Sequence, residues 1–115
     1  MRHRKQGRKF GRKKGQRQAL LTSLAHNLII KEKITTTLEK AKELKKNAER
    51  FVSYGKKQNL AGLRLLLKNL PKVSAYKVYN QLARQYEGRN GGYLRIIKTQ
   101  NQRRDSAQMA RIEFV

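Results

Sequence analysis

The chain has no cysteine among its 115 residues. Disulfides and thiolate metal sites are therefore excluded, and no oxidising compartment is needed. No run of 18 apolar residues occurs, so no membrane-spanning helix is expected. Histidine is confined to His3 and His26, and neither has a second His or a carboxylate at metal-ligand spacing. His26 falls roughly opposite the Leu20, Leu24, Leu28 stripe, on the expected solvated side of its helix. Only seven acids are present, against 29 Lys and Arg, for a formal charge of +22. Glu39 is placed to cap a helix, and Glu32, Glu43 and Glu49 to form surface pairs worth about 0.2–0.5 kcal/mol each. No carboxylate pair is set up for acid/base work, so the composition speaks against an enzyme.

What the chain does have is positive charge, concentrated at its start. Nine Lys or Arg and no acid lie within Met1–Gln18. The only large apolar residues there are Met1 and Phe10, too few to build a core, and Gly7, Gly11 and Gly15 loosen the segment further. Residues 1–18 are expected to be a basic arm and 19–115 a single domain. Removing the arm still leaves +13 on the other 97 residues. Self-repulsion on this scale disfavours compaction, and a polyanion relieves it. Each phosphate neutralised also releases a counterion, so binding should weaken steeply with salt. The arm lacks the apolar stretch of a secretory signal, and lacks the serine and amphipathic spacing of a transit peptide.

Past the arm, Leu20, Leu24 and Leu28, with Leu21 alongside, predict a helix over about 16–30. Lys33–Thr37 (KITTT) reads as a short strand. Thr36 and Glu39 fit a capping box, opening a helix with Leu38, Ala41, Leu44, Ala48, Phe51 and Val52 on its inner face and Gly55 as its stop. A turn at Lys56–Asn59 leads to a short apolar helix, Leu60–Leu67, expected to be buried. Pro71 suits the first turn of a fourth helix, whose inner face reads Val73, Tyr76, Tyr79, Leu82, Ala83 and Tyr86. After a loop over Glu87–Gly92, Tyr93–Thr99 and Ala107–Val115 read as strands, with Ala110, Ile112 and Phe114 facing one way and Arg111 and Glu113 the other. The connection Gln100–Ser106 is longer than an ordinary hairpin loop and carries Arg103 and Arg104 toward a partner.

Several residues are candidates for contact with nucleic acid. Phe10 stands out because the arm offers it no core. Gly88–Gly92 precedes a strand, whereas nucleotide-binding glycine loops follow one; its glycines serve either a turn or a close backbone approach. Tyr54 and Tyr93 sit at element ends beside basic residues, where a ring either stacks on a base or is partly buried. No cofactor loop, catalytic cluster, helix-turn-helix spacing or zinc motif is found.

The stretches Met1–Gly11 (MRHRKQGRKFG), Arg17–Leu21 (RQALL), Ile34–Leu44 (ITTTLEKAKEL), Gly91–Lys98 (GGYLRIIK) and Asp105–Val115 (DSAQMARIEFV) together resemble the bacterial large-subunit ribosomal protein seventeen family, in order and over nearly the whole length. The resemblance implies an α+β fold: about four helices packed on a small mixed three-stranded sheet, with an extended basic N-terminal arm. It implies no catalysis, no cofactor and no small-molecule substrate. Its implied partners are large-subunit ribosomal RNA and neighbouring large-subunit ribosomal proteins, in the cytoplasm and away from membranes. Arg2, His3, Arg4, Lys5, Arg8, Lys9 and Arg12 match the family's opening and inherit its RNA-contacting role. Lys13, Lys14 and Arg17 extend that charge. Gly91, Gly92, Tyr93 and Arg95 carry over as a further contact, with Arg89 beside them. The family often has His at the positions of Gln16 and Lys31; Lys31 keeps a positive charge that suits a helix C-terminus. The expected function is structural: neutralising RNA phosphates so that crowded strands pack, with the arm, roughly 60 Å if extended, threading between them. The alternative from composition is a DNA-binding or DNA-compacting protein; a small RNA-modifying enzyme would need a catalytic cluster not found here.

Overall fold

A computed structural model describes residues 13–102 and 107–115; residues 1–12 and 103–106 lie outside the described residues. The first helix, α1, spans Lys14–Lys31, so the expected arm contributes its last residues to a helix. Ala25, Leu28 and Ile29 are buried, while Leu20, Leu21 and Leu24 are half-buried. His26 is half-buried rather than solvated, with its Nδ1 enclosed and unpartnered among the described residues. The helix ends at Glu32, in the left-handed region at φ 67°, whose N–H donates to the Leu28 carbonyl at 2.6 Å. Lys31 sits in the last turn, and Lys77 Nζ donates to the Ile30 carbonyl at 3.1 Å. Two cations thus meet the negative end of the helix dipole.

Strand β1 is Lys33–Thr37, as read from sequence. Thr37, not Thr36, caps helix α2 (Leu38–Lys56): its hydroxyl accepts from the Lys40 N–H at 3.4 Å. Strand pairing explains the shift. Thr36 still faces Ala110 and Thr37 faces Met109 in the ladder, so the chain turns helical one residue later. Ala41, Leu44, Ala48 and Val52, spaced by three and four residues, form the buried spine of α2. Glu49, expected in a surface pair, is instead half-buried, with Oε1 enclosed and unpartnered among the described residues. The helix ends near Gly55, at Lys56, but Gly55 is not the C′ residue. Gly55 lies inside the helix and is buried, and a methyl there would come within 3.1 Å of Val78 Cγ1.

Helix α3 is Leu60–Asn69, capped by Asn59, whose Oδ1 accepts from the Gly62 N–H at 2.7 Å. It is not a buried helix. Only Gly62 and Leu66 are buried within it, and Leu60, Leu65 and Leu67 are exposed. A continuous apolar run carries no period that tells the inner face from the outer.

Helix α4 begins as Lys72–Lys77, opens into a π-helical turn at Val78–Leu82 and closes with Ala83–Gln85. Pro71 is its N-cap, one position before the expected one. The buried face is Ser74, Ala75, Val78, Leu82, Ala83 and Tyr86; Val73 and Tyr76 point outward and Tyr79 is half-buried. The expected three-residue stripe departs from the structure in its first half. Strict i, i+3 steps precess around a helix, whereas the core keeps the four-residue step from Ser74 to Val78 to Leu82. The π turn sits beside Gly55, and Gln58 Nε2 donates to the Tyr79 carbonyl at 2.8 Å. This adds a donor where the helical ladder is widened.

Strands β2 (Leu94–Gln102) and β3 (Gln108–Phe114) form a hairpin, and β1 joins the other side of β3 to give the order β1-β3-β2. Both pairings are antiparallel, so the sheet is not mixed: a hairpin fixes the first, and β1 runs parallel to β2 across the central strand. The ladder reaches Gln102↔Gln108 through a register shift after Lys98↔Ala110, so pairing consumes part of the expected Gln100–Ser106 loop. Ile34, Ile112 and Ile96 stand in one row toward the helices.

Candidate nucleic-acid interface

Arg2, His3, Arg4, Lys5, Arg8, Lys9, Phe10 and Arg12 lie outside the described residues, as do Arg103 and Arg104. The described end of the arm is the start of α1. Lys13 occupies the N-cap without a side-chain cap bond, Lys14 and Arg17 follow, and the first turn holds no acid. Cations at the positive end of a helix dipole are unfavourable by roughly 0.3–1 kcal/mol each. An anion at this end would reverse the sign of that interaction.

The loop before β2 is a folded brace. Gly91, at φ 148°, and Gly92, at φ 63°, hold backbone angles that side chains resist. A turn that needs glycine is thereby established. Lys56 Nζ donates to the Arg89 carbonyl and to Tyr93 Oη, the latter at 2.9 Å, and lies 5.0 Å from the centre of the Tyr93 ring. Tyr93 Oη also donates to the Arg89 carbonyl at 3.2 Å. Tyr93 is only 3% exposed, its ring 5.2 Å from that of Tyr86. It is therefore corrected from a contact residue to an internal prop: its ring faces are spent on protein and leave none for a base. Arg89 stays exposed, with Nε 3.3 Å from the Gly91 carbonyl.

Arg95 lies on the outer face of the sheet. Register places Lys33, Glu113 and Arg95 in one row across the three strands, and Thr35, Arg111 and Ile97 in another. Arg95 Nε donates to Glu113 Oε1 at 2.8 Å, and Arg111 Nε is 3.5 Å from Oε2. The Arg95 hydrogen bond, helped by the Arg111 and Lys33 charges, holds the Glu113 carboxyl below the ordinary Glu range. One carboxylate thus pairs with two cations, Arg95 and Arg111, with Lys33 in the same row across the sheet, and the patch remains net positive. The Arg95 and Arg111 side chains keep 60% and 44% of their surface exposed. The sequence pattern does not single out Lys33 and Arg111; the alternation of β3 turns Arg111 outward, but nothing local joins β1 to β2.

Among the described residues no group of His, Asp and Glu could hold a metal ion, and no helix is long and apolar enough to cross a membrane. The geometry defines a small α+β scaffold with outward cations on its sheet. The model of the family described as "Ribosomal protein L17" matches residues 20–115. The chain is 47% identical over 116 residues to the large ribosomal subunit protein bL17 of Thermodesulfovibrio yellowstonii, covering all of this chain and 87% of that one. It is 46% identical over 118 residues to bL17 of Fusobacterium nucleatum, covering both chains completely. The Hydrogenobaculum bL17 is 45% identical over 117 residues, covering all of this chain and 99% of the relative. The chain belongs to the ribosomal protein L17 family, which is a family of structural ribosomal proteins and not of enzymes.

Proposed function

We propose that this chain is a structural constituent of the large ribosomal subunit in the cytoplasm, binding large-subunit ribosomal RNA and lying among neighbouring ribosomal proteins. The observation that carries this reading is the end-to-end match to chains named large ribosomal subunit proteins. The charge of +22 and the outward cations of the sheet agree with it. Binding works by replacing diffuse counterions with fixed Lys and Arg, which lowers the repulsion between RNA segments brought close together. The arm cations from Arg2 to Arg17 engage phosphates. Arg89, Gly91, Gly92, Arg95, Arg103 and Arg104 form the body's share of the interface, joined by Lys33 and Arg111.

The test is sedimentation. The full chain should travel with the large subunit at moderate ionic strength and leave only at high salt. A chain found free of ribosomal particles in growing cells would overturn the proposal. In competition, folded ribosomal RNA should displace duplex DNA; the reverse order would favour a DNA-binding role.

A further inference from the structure

Away from the sheet, α1, α2 and α3 enclose an open cleft of about 480 Å³. Clefts of this size commonly take a small molecule. Beside Gln18, Leu21 and Thr22, its lining holds three kinds of group. Arg50 and Lys68 supply positive charge, the Asn47 and Asn69 amides supply donors and acceptors, and Phe51 and Tyr54 supply half-buried rings. The two ring centroids are 6.4 Å apart and the planes are tilted by 54°. At that tilt the rings do not stack face to face, and both remain part of the cleft wall. Asn69 Nδ2 is already engaged with the Leu65 carbonyl at 2.8 Å, which holds the side chain in place.

We infer that this cleft receives one unpaired nucleotide of an RNA strand, its phosphate at Arg50 and Lys68, its base edge at the asparagines and its base face on the aromatic wall. The inference rests on the RNA-binding reading above and makes it specific. Each part of the lining answers one part of a nucleotide. No carboxylate lines the cleft among the described residues, so it suits an anion and not a cation. The chain's own arm is a poor occupant, because six Lys or Arg within residues 1–12 would be brought against Arg50 and Lys68. A regular duplex is excluded on shape, since its bases are stacked inside and cannot enter a pocket.

The experiment is an NMR titration of the full chain with oligoadenylate and, separately, with a fully paired RNA duplex at matched phosphate concentration. The single strand should shift the side-chain amide of Asn47 and move the Tyr54 ring signals upfield, and the duplex should not. Tyr54→Leu should weaken oligoadenylate binding by about 5- to 150-fold while leaving duplex affinity within about twofold. Arg50→Gln, at an exposed position, should lower the salt slope for oligoadenylate by roughly one without altering the fold. The inference is overturned if both RNAs shift these signals equally. It is also overturned if oligoadenylate binds with strong salt dependence yet leaves Asn47 and Tyr54 unmoved; RNA binding would then stand without the cleft. If neither RNA binds, the RNA-binding reading and the cleft fall together.

Discussion

Two side chains, Tyr86 and Glu113, make polar contacts at the sheet with opposite pH behaviour. Tyr86 is 3% exposed and donates its hydroxyl proton to the Val115 carbonyl at 2.6 Å. Burial raises its pKa above the usual tyrosine value, against a smaller lowering by Arg89. Tyr86→Phe should cost about 0.5–1.5 kcal/mol in urea denaturation. Because the native pKa is raised, the contribution of the protonated hydroxyl is complete below the unfolded tyrosine value and is lost as pH rises through the native one. Glu113 has the opposite sign. Its native pKa is depressed by Arg95, so its contribution is present above the ordinary carboxylate value and disappears as pH falls through the lowered one. Glu113→Gln should therefore lower the melting temperature at neutral pH, and the gap from the parent chain should close well below about pH 4. A gap that persisted in acid would mean that packing, not charge, holds the carboxyl in place. The outward direction of Glu113 is legible from strand alternation; its place between Lys33 and Arg95 is not, because those cations come from strands on opposite sides of β3.

Among the elements, α3 depends most on a single close approach. Gly62 faces the Tyr54 backbone carbonyl so tightly that a methyl group would overlap its oxygen. That oxygen belongs to the last turns of α2 and cannot swing away as a side-chain tip would. Gly62→Ala should destabilise the fold by about 1–3 kcal/mol, although alanine is the better helix former, and calorimetry would detect it. A neutral result would show that α3 can slide on α2. The burial of Gly62 also explains why the sequence of α3 misleads. It is apolar nearly throughout, yet a glycine and one leucine make its buried face, and three leucines remain outside. In α4 the tyrosines invite an inward reading, but Ser74 and Ala75 go in and Val73 and Tyr76 stay out, since small residues admit the closer approach. β1 and β3 are readable because a two-residue period has only two faces to choose between.

For the molecule as a whole, charge and packing are divided between different surfaces. The core is an ordinary apolar cluster running from Ala25 to Ile112, with Leu44 fully buried inside it. Leu44→Ala should cost about 2–5 kcal/mol in denaturant titration. RNA binding should be sensitive to different residues. Since α1 starts at Lys14, the informative truncation removes residues 1–12 and spares the helix. It deletes six Lys or Arg, so the slope of log affinity against log salt should become shallower by at most about five, with the melting temperature of the body unchanged. Filter binding to ribosomal RNA across a salt series measures this directly. An unaltered slope would assign the electrostatic contacts to the body alone.

The sequence by itself determined the succession of helices and strands, a basic opening nearly free of large apolar residues, and a net charge of +22. These follow from local spacing and from counts of charge, which need no knowledge of neighbours. Only the tertiary structure decided that Tyr93 is a prop beneath Lys56, that Lys33, Arg95 and Arg111 share one face, and that Arg50 and Lys68 line one cleft. Each of these joins residues distant in the chain, and their distances are set by packing against a common core.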